Sequence, residues 1–149
     1  GEILRKFDDL FPKIHKLLGN LSRKSKTLAN LRKGMIRMYW ERYEIESYLI
    51  HPDAITRFVE KNHGVQSAQK VTLFIRDQLP PVVYDNMLDT SNYYQQIKAK
   101  SLLSQFFNSA FLNIDERDFY QIAAEMEKQE IHPEVIEKLD QIAEHFSML

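Results

Sequence analysis

The sequence predicts a compact, mainly α-helical domain with one strand or a small sheet near residues 35–40, and three observations carry that expectation. Apolar residues recur at helical spacing in one segment after another. Pro12, Pro52, Pro80, Pro81 and Pro133, with Gly19 and Gly64, stand where those segments should start or stop. One stretch, Met35-Ile36-Arg37-Met38-Tyr39-Trp40, reads as a strand, bounded by Gly34 and by the charged pair Glu41-Arg42.

In chain order, Ile3, Leu4, Phe7, Leu10, Phe11, Ile14, Leu17 and Leu18 share one helical face over residues 2–18. Pro12 cannot sit inside a helix without a kink, so one helix should end near Leu10 and a second turn begin at Pro12, with Gly19-Asn20 as its stop. Ser22 to Lys33 has the spacing expected of a short, weakly amphipathic helix through Leu28 and Leu31. After the strand, Glu44 to Ile50 should form a helical turn. Pro52-Asp53 then opens a helix through Ile55, Phe58 and Val59 that stops at Asn62-His63-Gly64.

Ser67 is the expected cap of the next helix, which presents Val71, Leu73, Phe74 and Ile75 before Leu79-Pro80-Pro81. Val82 to Leu88 reads as another short helix. From about Tyr93 to Phe111 a single helix should turn Ile97, Leu102, Leu103, Phe106, Phe107 and Phe111 inward. Asp115 should cap a helix carrying Phe119, Ile122, Ala123 and Met126, and Pro133 should start the last, with Val135, Ile136, Leu139, Ile142 and Phe146. The chain thus divides into a basic helical N-terminal segment, residues 1–33, and a helical domain, residues 34–149.

Composition narrows the chemistry. With 149 residues, 44% hydrophobic and 28% charged, the chain can bury a real core and resembles ordinary globular proteins. It has no cysteine, which removes disulfides, zinc–thiolate sites and thiol catalysis. No apolar run approaches the roughly 18 residues of a membrane span, and no signal-peptide pattern opens the chain, so a cytoplasmic protein with no membrane partner is expected.

The net charge of −1 conceals a division. Residues 1–42 carry eleven Lys and Arg against four Asp and Glu, and residues 43–149 carry nine against seventeen. Arg23, Lys24, Lys26, Arg32 and Lys33 lie in a stretch with no acid between Asp9 and Glu41. Such a segment can neutralise phosphates and release their counterions, which makes DNA a candidate partner, or it can pair with the acidic half of the chain.

The segment Trp40-Glu41-Arg42-Tyr43-Glu44-Ile45-Glu46-Ser47-Tyr48-Leu49-Ile50-His51-Pro52 holds the densest chemistry. Glu44 and Glu46 point to one side of an extended chain and can then share a divalent cation through oxygen ligands. In a helix they diverge by about 200°, and only one can face a site. Two other roles are open to these charges: acids in a first turn oppose the helix dipole, and Arg42 can pair with Glu46 at i,i+4. Tyr39, Trp40, Tyr43 and Tyr48 can stack on bases or serve as core and rim aromatics.

Three stretches in this part of the chain resemble, in order, motifs of Toprim-containing nucleases of the overcoming-lysogenisation-defect type. Trp40, Arg42, Glu44, Ile45, Glu46, Tyr48, Leu49 and Pro52 match W-x-R-x-E-I-E-N-Y-L-L-x-P, with Ser47 in place of Asn and Ile50 in place of Leu. Ile97-Lys98-Ala99-Lys100-Ser101-Leu102-Leu103 resembles I-K-G-K-x-L-L, and Glu130 to Asp140 resembles E-I-P-P-E-V-x-x-x-L-D. The resemblance covers roughly Gly34 to the C-terminus. It implies a metal-dependent DNA nuclease linked to phage defence, using Mg²⁺ or Mn²⁺, with Toprim and ATPase domains as partners and room for a homo-oligomer.

The resemblance further implies that Glu44 or Glu46 serves as a metal ligand and that Arg42 orients a carboxylate or phosphate bidentately. It also implies that Lys100, or its neighbour Lys98, approaches the scissile phosphate, where a fixed charge stabilises the transition state. A Toprim core also needs an upstream glutamate and an Asp-x-Asp at strand ends. The 33 residues before Gly34 read as helix, and Asp8-Asp9 has the wrong spacing. The expectation is therefore the C-terminal portion of such a nuclease, inactive alone, or a non-catalytic helical interaction module with a degenerate site. His15, His51, His63, His132 and His145 include no i,i+4 pair and no zinc-type spacing, and the four isolated glycines cannot form a phosphate-binding loop.

Overall fold

The structure, a computed structural model, describes residues 39–89 and 91–147. They are mainly α-helical, as the periodicity predicts, with seven α-helices and no strand among the described residues. The expected strand is corrected at its end, because Tyr39 and Trp40 are irregular backbone. Residues 35–38 lie outside the described residues. So does the segment 1–33, with Arg23, Lys24, Lys26, Arg32 and Lys33.

The turn expected at Glu44–Ile50 is a 3₁₀ helix, Ile45–Leu49, and it buries Tyr48 and Leu49. Helix α1 (Pro52–His63) starts on Pro52, where the missing N–H would have had no intrahelical partner anyway. Gly64 alone joins it to α2 (Val65–Gln78), with φ +92 and ψ 168, a backbone region that glycine enters without steric cost. Thr56 and Thr72, equidistant from Gly64 in sequence, meet at 2.7 Å between hydroxyls, so α1 and α2 form an antiparallel hairpin. Because Gly64 turns the chain in one residue, α2 starts before the expected Ser67 cap. Val71 and Ile75 are buried on one face, whereas Leu73, half a turn away, is exposed rather than inward.

Helix α3 (Pro81–Asp85) is shorter than the expected Val82–Leu88, and α4 (Ser91–Tyr94) follows. The single helix expected over Tyr93–Phe111 is broken, and only Ala99–Asn108 forms its main body, α5. The carbonyl of Tyr94 accepts from the backbone N–H of Tyr43 at 3.0 Å instead of continuing the ladder to Lys98. At the far end of α5 the N–H of Phe111 bonds to the carbonyl of Asn108, and that of Leu112 to Phe107, both at 3.0 Å. This pair of bonds is a Schellman ending, with Phe111 at φ +58 in the place usually held by glycine. Its side chain is 91% exposed, which corrects its assignment to the core.

Asp115 accepts from the N–H of Arg117 at 2.9 Å, but what it caps is a 3₁₀ turn, Glu116–Asp118. The helical residues that follow are α6 (Gln121–Ala124) and a further 3₁₀ turn, Lys128–Glu130. Helix α7 (Pro133–Ser147) begins on Pro133 as expected. Of its predicted apolar face Val135 is buried and Leu139 packs on the core, while Ile136 and Phe146 are exposed.

The core lies where α1, α2, α5 and α6 meet. Phe107 sits between Phe58 and Phe119, at ring-centroid distances of 5.8 and 5.7 Å, and Phe106 meets Phe74 edge-on. The 3₁₀ helix 45–49 packs on α5, and Leu49 is 1% exposed. Leu49→Ala is expected to destabilise the domain by about 2–5 kcal/mol. A urea titration reads this as a lowered midpoint, and an unchanged midpoint would contradict the burial.

Candidate functional site

The segment from Trp40 to Ile50 enters with extended backbone at Glu44 and tightens at once into the 3₁₀ turn. That change of direction separates neighbouring charges. Arg42 is 3% exposed, Glu46 is buried, Glu44 is half-buried, and Glu41 and Tyr43 face outward.

Arg42 is the centre of the arrangement. Its Nη1 donates to the carbonyl of Ser47 at 2.9 Å and its Nη2 to that of Met87 at 3.2 Å. The guanidinium lies over the rings of Tyr48, at 4.8 Å, and Tyr94, at 4.3 Å. Burial lowers its pKa, while the charge of Glu134 is among the groups that favour the cation. The structure places Arg42, expected to orient a carboxylate or phosphate, in the interior with each terminal nitrogen donating to a backbone carbonyl.

Around it the three motifs come together. Glu134, from the third motif, accepts at Oε1 from the hydroxyl of Tyr48 at 2.5 Å and from the N–H of Glu41 at 2.9 Å. Burial, and then the bond to Glu134, push the Tyr48 hydroxyl well above the ordinary tyrosine range. His132 accepts from the N–H of Glu134 at 3.1 Å, and its ring meets Tyr48 edge-on at 5.4 Å. Burial and the nearby Arg42 charge hold His132 below the ordinary imidazole range.

From the second motif, the backbone N–H of Lys100 donates to Glu44 Oε1 at 3.0 Å, across 56 residues of sequence. Lys100 is the second residue of α5, so the Glu44 carboxylate satisfies one of the orphan N–H groups there and opposes the helix dipole. Glu44 thus does for a distant helix what an acid in its own first turn would do locally. Lys98 is exposed just ahead of α5, and Lys100 is half-buried. The structure thus brings Glu44 to the backbone of Lys100, and it adds Glu134 and Tyr94, which the site residues read from sequence did not include. Glu134 was legible as part of the third motif, whereas nothing in sequence singled out Tyr94.

The described residues at this site do not make an Mg²⁺ cage by themselves. One oxygen of Glu44 is committed to the Lys100 N–H, Glu46 is buried, and no cluster of metal-ligating groups among the described residues includes either acid. Mg²⁺ takes an octahedral set of oxygens, and one free carboxylate oxygen is a single corner of it. Of the aromatic residues, Trp40 and Tyr48 are packed inward with ring centroids 5.3 Å apart, while Tyr39 and Tyr43 remain exposed and free to stack. No described helix is long and apolar enough to cross a membrane. Compared with known proteins, the chain matches no family model, and no characterised protein or solved structure is significantly similar to it.

Proposed function

We propose that this chain is the C-terminal helical portion of a Toprim-type, Mg²⁺- or Mn²⁺-dependent DNA nuclease, of the kind that serves phage defence beside an ATPase domain. The observation that supports the reading is spatial. Motifs that resemble the nuclease pattern at Trp40–Pro52, Ile97–Leu103 and Glu130–Asp140 are joined directly, through Glu44 with Lys100 and through Tyr48 and Glu41 with Glu134.

In this reading Glu44, rather than the buried Glu46, offers its remaining oxygen to the metal, whose other ligands come from the upstream glutamate and Asp-x-Asp of the Toprim core. Lys100, whose backbone N–H is held by the same carboxylate, serves in this reading to stabilise the phosphate beside the metal with its ammonium. Arg42 holds this geometry from within. Arg23, Lys24, Lys26, Arg32 and Lys33 track the DNA backbone without reading bases.

A second reading, a non-catalytic helical interaction module, is favoured by the structural employment of Arg42 and Glu44, which a fold can keep after losing its chemistry. Plasmid nicking separates the two. The 149-residue chain contains no Asp-x-Asp, so alone it should not nick DNA with Mg²⁺ or Mn²⁺. The coding sequence upstream of Gly1 should contain the missing acids, and the full gene product should cleave. There Lys100→Ala should lower the rate roughly a hundredfold. Glu44→Gln, which keeps an oxygen for the Lys100 N–H but loses the charge, should do likewise without unfolding the protein. Cleavage indifferent to both changes, or a full product that never cleaves, would leave the interaction module standing.

A further inference from the structure

We propose a divalent transition-metal site, suited to Zn²⁺, formed by His51 Nδ1, the carboxylate of Asp53 and Glu130 Oε2. It is separate from the Glu44–Lys100 site and does not depend on the nuclease reading. Ligand atoms of the three residues lie within 4.8 Å of one another. Two come from the start of α1, and the third from the 3₁₀ turn at Lys128–Glu130.

The geometry around His51 points to a shared ion. Its Nδ1 is shut off from solvent and has no hydrogen-bond partner, and it stands 3.6 Å from Glu130 Oε2. That distance is too long for a hydrogen bond. It is close to the separation of about 3.3–3.4 Å between two ligands of one tetrahedral Zn²⁺ with bonds of about 2.0–2.1 Å.

Glu130 is already oriented for the task. Its Oε1 accepts from Arg57 Nη2 and, at 2.9 Å, from the N–H of Glu127, which leaves Oε2 facing His51. Arg57 is itself anchored on the carbonyl of Glu125 by two bonds of 3.0 and 2.9 Å. Such outer partners fix the direction of a ligating carboxylate. Asp53 is exposed and can close the remaining distance by rotating its side chain. Two of the three residues, His51 and Asp53, also line a cleft of about 380 Å³ whose walls include Asp85 and Asp89 and no lysine or arginine. An imidazole with two carboxylates selects a borderline cation over Mg²⁺, and three protein ligands leave a position open to the cleft.

The test is a calorimetric titration of the tag-free 149-residue chain with Zn²⁺, with Co²⁺ absorption in the visible as a second readout of coordination. One Zn²⁺ per chain should bind, raise the thermal midpoint by mass action, and give a tetrahedral Co²⁺ spectrum. His51→Gln and Asp53→Asn should each weaken binding at least about tenfold, the low end of what disturbing a metal's surroundings costs. Asp53 is exposed, so its variant keeps the fold, and circular dichroism checks this for both. Absence of Zn²⁺ binding, or binding that both substitutions leave unchanged, overturns the proposal and in the second case places the ion elsewhere, for instance on His15, His63 or His145.

Discussion

Arg42→Ala should destabilise the domain by about 3–5 kcal/mol, the cost of removing one partner from a buried charged network. On a chain of this length that corresponds to a fall in Tm of roughly 6–20 °C. The substitution strands the carbonyls of Ser47 and Met87, opens the gap between the Tyr48 and Tyr94 rings, and takes a compensating cation away from the buried Glu134. Arg42→Lys should recover little of the loss. An ammonium is a compact point charge and cannot reproduce the flat two-ended fork between two rings. Thermal unfolding of the three proteins decides the matter, and a wild-type midpoint in Arg42→Ala would show that the network is not required for the fold.

Phe107→Ala should cost a comparable amount, about 3–5 kcal/mol, for a different reason. Phe107 is 1% exposed and its ring bridges Phe58 of α1 and Phe119 ahead of α6. Truncation removes apolar contact on both sides, and the cavity lies between elements that cannot all move inward together. Phe107→Leu, which keeps most of the volume, should cost less. Equal losses for Leu and Ala would mean that the ring geometry matters more than the filled space. Loss of less than about 1 kcal/mol for Ala would mean that the core closes over the gap.

Much of the fold was legible because the chain marks its turns with residues of special backbone. Pro52, Gly64 and Pro133 fixed boundaries that the structure keeps to within a residue. The departures arise where a partner from far along the chain takes over a local decision. Tyr43 claims the carbonyl of Tyr94 and Glu44 caps α5, so a continuous apolar periodicity from Tyr93 onward is cut in two. Phe111 follows the helical spacing but comes after the Schellman ending, where the chain has left the helix and the side chain points to solvent.

The candidate site was legible in membership more than in geometry. Arg42, Glu44 and Lys100 were named from their motifs, yet their distances and burial follow from contacts 45 to 56 residues apart, which no local pattern encodes. Glu46 matched its motif and still turned inward, because the chain tightens into a 3₁₀ turn instead of staying extended. The His51, Asp53 and Glu130 group escaped notice for the same reason. Its third member is remote in sequence, and a single histidine beside an aspartate is not a metal pattern.

The grip of Glu134 on Glu41 and Tyr48 also bears on the order in which the domain assembles. It spans 93 and 86 residues, whereas the Thr56–Thr72 contact of the α1–α2 hairpin spans 16. By the logarithmic dependence of loop entropy on length, closing the longer loop costs about 1.6 kcal/mol more than closing the shorter one. The hairpin can therefore form early from local contacts, and the polar latch between the Trp40 segment and the start of α7 closes late. Reversed in time, the latch is the part that opens first, exposing the amides of Glu41 and Arg42 to exchange while the protected interior of α1 and α2 stays folded.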